Sequence, residues 1–393
     1  MRDILIVTNT MGRAGAETAL ISLLGRLDYT RARVSLLAII PRGEMFARLP
    51  SEVIRLNRRV SQKPVLGIFA AISLASLIIW RLIRHLQYLP YMAKNAFMQI
   101  RRGKLRLDKL FWLLLAKTTP PQKARYDLAI AFMEGAATYY VAERAQAAKK
   151  LAFVHVNYEK AGYLKELDLP FYQKMDFVCP VSQSLKTALC QIFPNMTDKI
   201  FVFPNIVDIA GIRARAGQGV GFDDDFGGIR ILTIARLHPQ KGIDAAIAAF
   251  AQINRPNIKW YIVGEGTQRR KLEKLIQKHK LEGRFVLLGA KENPMPYISQ
   301  ADIYIQPSRY EGFCLALLEA IILGKACIAT DFDGLPDLLE NNTDAIIIPF
   351  GAKNIAKALS DLIENSSRRA ELAKAAAAKN ISFDDMTETL YKI

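Results

Sequence analysis

Gln306-Pro-Ser-Arg-Tyr-Glu-Gly-Phe-Cys-Leu-Ala-Leu-Leu-Glu319 follows the apolar Ile303-Tyr-Ile305 and runs into a segment rich in Leu, Ala and Ile. The stretch reads as a buried strand, a glycine turn and a helix, the repeating half of a parallel α/β layer. Gly312 is where backbone could approach a ligand without a Cβ in the way. The amides of Phe313, Cys314 and Leu315 open the helix, and a helix N-terminus attracts anions. Glu311 and Glu319 bracket the turn eight positions apart, so one loop could hold a phosphate between two hydroxyl acceptors. An ordinary strand–turn–helix with solvated glutamates reads the same letters equally well.

The same grammar recurs on both sides of this stretch. At the start, Ile4–Thr8 is a continuous apolar run, Asn9–Thr18 a loop carrying Gly12 and Gly15, Ala19–Leu24 helical and Val34–Ile40 a second strand. This βαβ pattern predicts a parallel sheet with helices on its faces. The glycines do not have GxGxxG spacing, so no dinucleotide fingerprint is present. Tyr126–Phe132 reads as a strand, followed by Gly135 and a helix through Lys150. Leu151–Val156 is then a strand that ends near His155 and Asn157, with strand-like pieces at Asp176–Ser182 and Lys199–Asn205. After a Gly- and Asp-rich linker at Gly211–Gly228, strands are expected at Ile229–Ile234, Ile258–Val263, Phe285–Leu288, Ala326–Thr330 and Ala345–Ile348. Helices are expected at Lys241–Ile253, Gln268–Lys280, Lys353–Glu364 and Arg368–Lys379. Asp223-Asp-Asp225 and Asp331-Phe-Asp333 lack an apolar framework that would make them metal sites, and no metal or other cofactor is expected.

With 393 residues, two domains are the prior. Two successive doubly wound units imply a cleft between them, the default ligand site. Cys179, Cys190, Cys314 and Cys327 form no CxxC, which fits a reducing compartment rather than a disulfide or zinc scaffold. The opening strand is not a signal peptide. Charge is uneven: residues 1–180 hold 28 Lys/Arg against 13 Asp/Glu, a net of +15, whereas 181–393 hold 26 against 24, a net of +2. An anionic partner for the N-terminal half follows.

Residues 61–125 read as an insertion with a separate task. Val65–Trp80 is sixteen residues without a charge, short of the ~20 that span a bilayer. Eleven cations follow (Arg81, Arg84, Lys94, Arg101, Arg102, Lys104, Arg106, Lys109, Lys117, Lys123 and Arg125), opposed only by Asp108. Trp80, Tyr88, Tyr91, Phe97, Phe111 and Trp112 are interleaved with them. An apolar helix, basic flanks and aromatic anchors describe a surface lying on anionic lipid. A buried helix pair with a solvated basic face is the alternative. No nucleic-acid motif accompanies the charge.

Four connectors of the second half would converge at strand C-termini. Ala235–Gly242 carries Arg236 and Lys241, a planar fork and a point charge suited to a diphosphate. The others are Gly264-Glu-Gly266-Thr267, Gly289–Pro294 with Lys291, and the stretch at Gln306–Glu319. Taken in this order, the chain resembles glycosyltransferase family 4, of GT-B fold and bacterial polysaccharide-assembly type. The resemblance runs from Gly15 and Glu17 through His155, Val181-Ser182 and Pro204-Asn205 to Arg236/Lys241, Gly264-Glu-Gly266, Gly289 and the E-x7-E pair Glu311/Glu319.

The resemblance implies two Rossmann-like domains (1–206, binding the acceptor, and 207–380, binding a nucleotide sugar) and a C-terminal segment, 381–393, crossing back to the first. It also implies retaining transfer of a sugar from a nucleotide sugar, UDP-linked by default, to a hydroxyl of a lipid-linked saccharide. The enzyme would be peripheral on the cytoplasmic face of the membrane. Glu319 would accept from the ribose hydroxyls, and Glu311 from the donor sugar with the Phe313 and Cys314 amides alongside. Arg236 and Lys241 would neutralise the leaving group, His155 would lie beneath the sugar, and Gly15 would line the phosphate or acceptor side. The chain departs from the family at Ala14-Gly15, where two glycines are frequent, at Cys314, where Gly or Pro is common, and at Val156. A GT-B sugar-nucleotide epimerase and a non-catalytic membrane-binding scaffold are the competing readings.

Overall fold

The computed structural model describes all residues except 66–67, 102, 104–106, 336–338 and 382, and excludes the side chains of 68–71, 107–108 and 384–385. Among the insertion's cations, Arg102, Lys104 and Arg106 therefore lie outside the described residues, as do the Asp108 side chain and part of the Val65–Trp80 run. The chain divides into two units, Met1–Val207 with Phe383–Ile393, and Asp208–Ser382.

In the first unit, strands β1 (Arg2–Thr8), β2 (Ala32–Ala38), β3 (Ile54–Arg55), β4 (Tyr126–Ala131), β5 (Ala147–Val154) and β6 (Phe177–Pro180) form one sheet ordered β3-β2-β1-β4-β5-β6. All its pairings are parallel, with Ile4 opposite both Val34 and Leu128. Ile4, Leu5, Ile6 and Val7 are fully buried, as expected for a central parallel strand covered on both faces. The second unit repeats the arrangement with β7 (Ile229–Ile234), β8 (Ile258–Val263), β9 (Phe285–Gly289), β10 (Ile303–Gln306), β11 (Ala326–Thr330) and β12 (Ile346–Ile348), ordered β12-β11-β10-β7-β8-β9. Its core is built around Trp260, whose ring meets Phe250 and Phe285 and whose indole N–H donates to Thr233 Oγ1 at 3.1 Å. In each unit the chain winds one way from a central strand and then the other, so the order reverses between β1 and β4 and between β7 and β10. Open α/β sheets bind ligands at such a reversal.

Three sequence expectations need correction. The helix expected through Lys150 ends at Arg144, and β5 begins at Ala147. Ala-Glu-Arg-Ala-Gln-Ala-Ala has helical propensity, but pairing with β4, Leu128 to Lys149 and Ala129 to Lys150, prevails. Lys199–Asn205 is not a strand of the sheet. It runs along β6 with Phe203 N–H donating to Pro180 O at 3.0 Å, but Pro180 and Pro204 lack the N–H groups a ladder needs. The linker expected at Gly211–Gly228 overlaps the helix Ile209–Ala216, capped by the Asp208 carboxylate.

The insertion folds as helices Ile68–Arg84, Leu89–Arg101, Leu107–Leu110 and Trp112–Thr118. Its aromatics divide: Tyr88, Tyr91, Phe111 and Trp112 pack on the first unit's core, while Trp80 and Phe97 are exposed. Its cations divide too. Lys109 is buried, Lys117 pairs with Glu143, and Arg81 donates to Leu115 O and Thr118 Oγ1 at the end of the last helix. These are structural cations, contrary to their reading as a lipid-facing set. No described helix is long and apolar enough to cross a membrane. The last helix, Asp384–Lys392, belongs to the first unit, where Glu388 pairs with Arg31 at 2.6 Å and Arg2 donates to Leu390 O.

Candidate active site

The second unit concentrates its charged connectors at the β7/β10 reversal. Arg236 and Lys241 leave β7, and Glu311 leaves β10. Gly242 fastens these connectors together. It sits at φ 65°, and a Cβ there would fall 1.9 Å from the carbonyl oxygen of Pro307. Only glycine can make that left-handed turn so close to another backbone. Arg309 N–H donates to Gln240 O at 2.8 Å, Gln240 Nε2 to Tyr310 O at 3.0 Å, and Arg309 grips Asp244 with both guanidinium nitrogens.

The lacing brings Lys241 Nζ 2.5 Å from Glu311 Oε1. Glu311 is buried, and the same oxygen accepts from Ser308 Oγ at 2.7 Å, while its other oxygen is 3.4 Å from Gln240 Nε2. Ser308 is held in turn: Thr330 Oγ1 donates to its carbonyl, and Gln306 Nε2 donates to its hydroxyl. Lys241, Ser308 and Gln240 converge on one buried carboxylate. Lys241 and Glu311, predicted to serve different parts of a ligand, thus neutralise each other. Ser308, Gln306 and Gln240 went unrecognised in the sequence. Ser308 lies three residues before Glu311, but only the fold shows that both side chains turn inward.

Glu319, on the helix Leu315–Ile322, is the contrast. It is half-buried, and its carboxylate has no hydrogen-bond donor among the described residues. Burial raises its pKa to about 7, against a lowering pull from Arg215. The side chain of Arg236 is exposed and likewise makes no hydrogen bond or ion pair among the described residues. Cys314, at the N-cap of the Glu319 helix, is buried, and burial together with the Glu311 charge pushes its thiol up to about 12. It is an inert small apolar residue there.

Gly264 and Gly266 answer a packing demand. A Cβ on Gly264, at φ 153°, would lie 2.0 Å from Ala235 O, and one on Gly266 would lie 2.4 Å from Leu237 O. Both press the β8 connector onto the β7 connector that presents Arg236. Gly312 and Phe313 lie between Glu311 and the Glu319 helix. Lys291 follows β9, its ammonium 5.5 Å from the Tyr297 ring centroid. A cavity of about 250 Å³ lined by His238, Asp244, Gln268, Lys271 and Arg309 shares the His238–Pro239 turn but includes neither Glu311 nor Glu319. Asp224, part of the triple aspartate, binds Tyr261, Arg230 and Lys259; these hydrogen bonds outweigh burial and bring its pKa to about 2.

The first unit's candidates are engaged internally. His155 follows β5 and is bonded through Nε2 to Phe132 O at 2.8 Å. The carbonyl accepts, so Nε2 carries the proton and Nδ1 keeps a lone pair, buried and without a partner among the described residues. Burial lowers the His155 pKa against Glu134 and the Phe132 carbonyl, so the ring is neutral at pH 7. Glu134 follows β4, and its Oε1 accepts the backbone N–H groups of His155 and Val156. Gly15 begins the helix Gly15–Arg26, and Glu17 accepts from Thr10 Oγ1 at 2.9 Å.

Two parallel six-stranded sheets of this order define the GT-B class of fold. HepE of Anabaena in complex with UDP superposes with a TM-score of 0.69 at 19% identity, over 99% of this chain and 98% of that one. TarM superposes at 0.65 with 13% identity, over 100% and 98%. Residues 226–379 match the family model described as glycosyl transferases group 1. The N-acetylgalactosamine-N,N'-diacetylbacillosaminyl-diphospho-undecaprenol 4-alpha-N-acetylgalactosaminyltransferase of Campylobacter jejuni is 26% identical over 215 residues, 54% of this chain and 58% of that protein. The amylovoran biosynthesis glycosyltransferase AmsK of Erwinia amylovora is 29% identical over 42% of this chain and 45% of its own. The chain thus spans about half the length of these relatives.

Proposed function

We propose that this protein is a retaining glycosyltransferase. It moves a sugar from a UDP-linked donor to a hydroxyl of a lipid-linked saccharide in cell-surface polysaccharide synthesis, peripherally at the cytoplasmic face of the membrane. The observation that carries this reading is the half-buried, donor-free carboxylate of Glu319 beside the Lys241–Glu311 pair at the β7/β10 reversal. The Glu319 carboxylate has no hydrogen-bond donor among the described residues, and a ribose offers two hydroxyls. Glu311 takes the donor sugar's hydroxyls, the Phe313, Cys314 and Leu315 amides face the phosphate side, and Lys291 and the Gly264–Gly266 turn border the donor. Arg236 meets the diphosphate, and Lys241 exchanges part of its contact with Glu311 for a phosphate oxygen. In transfer, the bond from the anomeric carbon to the phosphate oxygen breaks. A bond to the acceptor oxygen forms on the same face, and the acceptor proton leaves on the UDP phosphate. His155 in the first unit, with Gly15 at the start of its first helix, serves transfer rather than donor affinity. Support comes from the UDP-bound HepE structure and from the undecaprenol-linked substrate in the name of the Campylobacter relative.

The test is incubation with labelled UDP-sugars and a lipid extract, with donor binding followed by thermal shift. Transfer that Glu319→Ala abolishes, together with the UDP-induced shift, is expected. Neither transfer nor donor hydrolysis with any nucleotide sugar overturns the reading.

A further inference from the structure

The helix Ile68–Arg84 is apolar on two sides. Leu74, Leu77 and Ile78 are partly buried, while Ile72, Ile79, Trp80 and Ile83 are between 53% and 68% exposed. The exposed positions are spaced by seven, one and three, which places them on one stripe of a helix with 3.6 residues per turn. The next helix, Leu89–Arg101, does the same: Leu89, Phe97 and Ile100 face outward, and Leu86 in the turn between the helices joins them. A helix that is apolar all round is normally covered all round, and here only one side is.

The inner sides are fastened. Arg81 donates to Leu115 O and Thr118 Oγ1 at the end of the last insertion helix. Asn95, buried in the second helix, donates to Lys109 O at 3.2 Å and accepts from Gln99 at 2.7 Å, while Lys109 Nζ donates to Ala161 O at 2.6 Å. Turning the stripes inward would break these buried bonds. Such large exposed apolar stripes mark an interaction surface.

We propose that these two stripes form a docking face that lies in the plane of a bilayer containing anionic phospholipid, its apolar side chains sunk into the headgroup boundary. The inference rests on, and deepens, the membrane part of the function proposed above. The occupant is chosen by charge. On these two helices Arg84, Lys94 and Arg101 are exposed and residues 68–101 contain no acid, so a second copy placed on this face would meet like charge, and anionic lipid meets opposite charge. Arg84 lies 4.2 Å from the Trp80 ring and Arg101 lies 5.6 Å from the Phe97 ring, cations held beside the exposed aromatics, with Lys94 exposed between them. At 17 residues the first helix is about 25 Å long, which suits lying in the interface rather than crossing it.

The test uses the full chain without donor or acceptor. Vesicles of phosphatidylcholine alone, or with phosphatidylglycerol, are floated with the protein, and tryptophan emission is recorded. The wild type is expected to float with anionic vesicles and to shift its emission to the blue, and Trp80→Phe to lose the shift. Ile79→Glu/Ile83→Glu is expected to lower vesicle partitioning roughly tenfold or more, and Arg84→Gln about fivefold. Val220→Glu, at an exposed apolar position of the second unit, is the control and leaves binding unchanged. Equal binding to neutral vesicles, or wild-type binding by Ile79→Glu/Ile83→Glu, overturns the proposal. So does a wild-type dimer that ignores vesicles and dissociates on that double substitution. Vesicle binding without any UDP-sugar-induced thermal shift would leave this face standing and sink the sugar-transfer reading instead.

Discussion

The two sheets have the same strand order and reverse at the same place, but their carboxyl ends are finished differently. In the first unit, the groups there are engaged internally: His155 on Phe132 O, Glu134 on two backbone amides, and Asn9 on Glu134 O and Ala137 N–H. In the second, the side chains of Arg236 and Glu319 have no hydrogen-bond partner among the described residues, and a buried ion pair belongs to the same connectors. The topology supplies a place for a ligand twice. The connectors decide which place retains unsatisfied charge.

The sharpest way to break this comparison is Glu311→Gln, which keeps the shape and removes the charge. A fall in kcat of roughly 100- to 1000-fold is expected in the transfer assay. A wild-type rate would make the second unit's connectors as structural as the first's. Gly264→Ala should lower the stability of the second unit by about 3 kcal/mol, read by denaturant unfolding, because the new methyl meets Ala235 O at 2.0 Å at a φ of 153°. His155→Phe preserves a ring against Phe132 and Phe153 but removes both Nδ1 and the Nε2–H bond to Phe132 O. It should cost kcat about tenfold with donor Kd little changed; an unchanged kcat would confine His155 to scaffolding.

Glu319 carries a pH signature. Its folded pKa is raised by burial, so the folded state holds a proton that the unfolded chain releases earlier. Its contribution to stability is present below the ordinary carboxylate range and lost as pH rises through about 7. Glu319→Gln should therefore stabilise the protein at pH 8 by on the order of 1 kcal/mol and not at pH 4, while weakening UDP binding. Least affected will be Asp244→Ala, which removes a partly exposed pair with Arg309 and should cost under about 1 kcal/mol.

Most of the fold was legible because its inner strands are rich in apolar residues and hand over to helices through glycine-containing connectors. The misreadings fall at strand ends and connectors. Lys149 and Lys150 look helical until β4 pairs with them, and the prolines beside Val181 and Asn205 spoil a ladder that composition alone suggests. Arg236, Lys241, Glu311 and Glu319 were legible as charges at strand exits. That Lys241 would neutralise Glu311 was not, because it depends on Gly242 and Pro307 touching across 65 residues of sequence. The insertion was half legible: its composition showed an apolar, basic, aromatic segment, and only burial divides Trp80 and Phe97 from Tyr88, Tyr91, Phe111 and Trp112.

Near neutrality the carboxyl of Glu319 is divided between its two protonation states. On the proposed function, a donor whose ribose hydroxyls need an acceptor there is expected to select the ionised form, with release of a fraction of a proton to the solvent. The heat of donor binding must then vary with the ionisation enthalpy of the buffer, most strongly near pH 7. The calorimetric slope counts the protons without any assay of transfer.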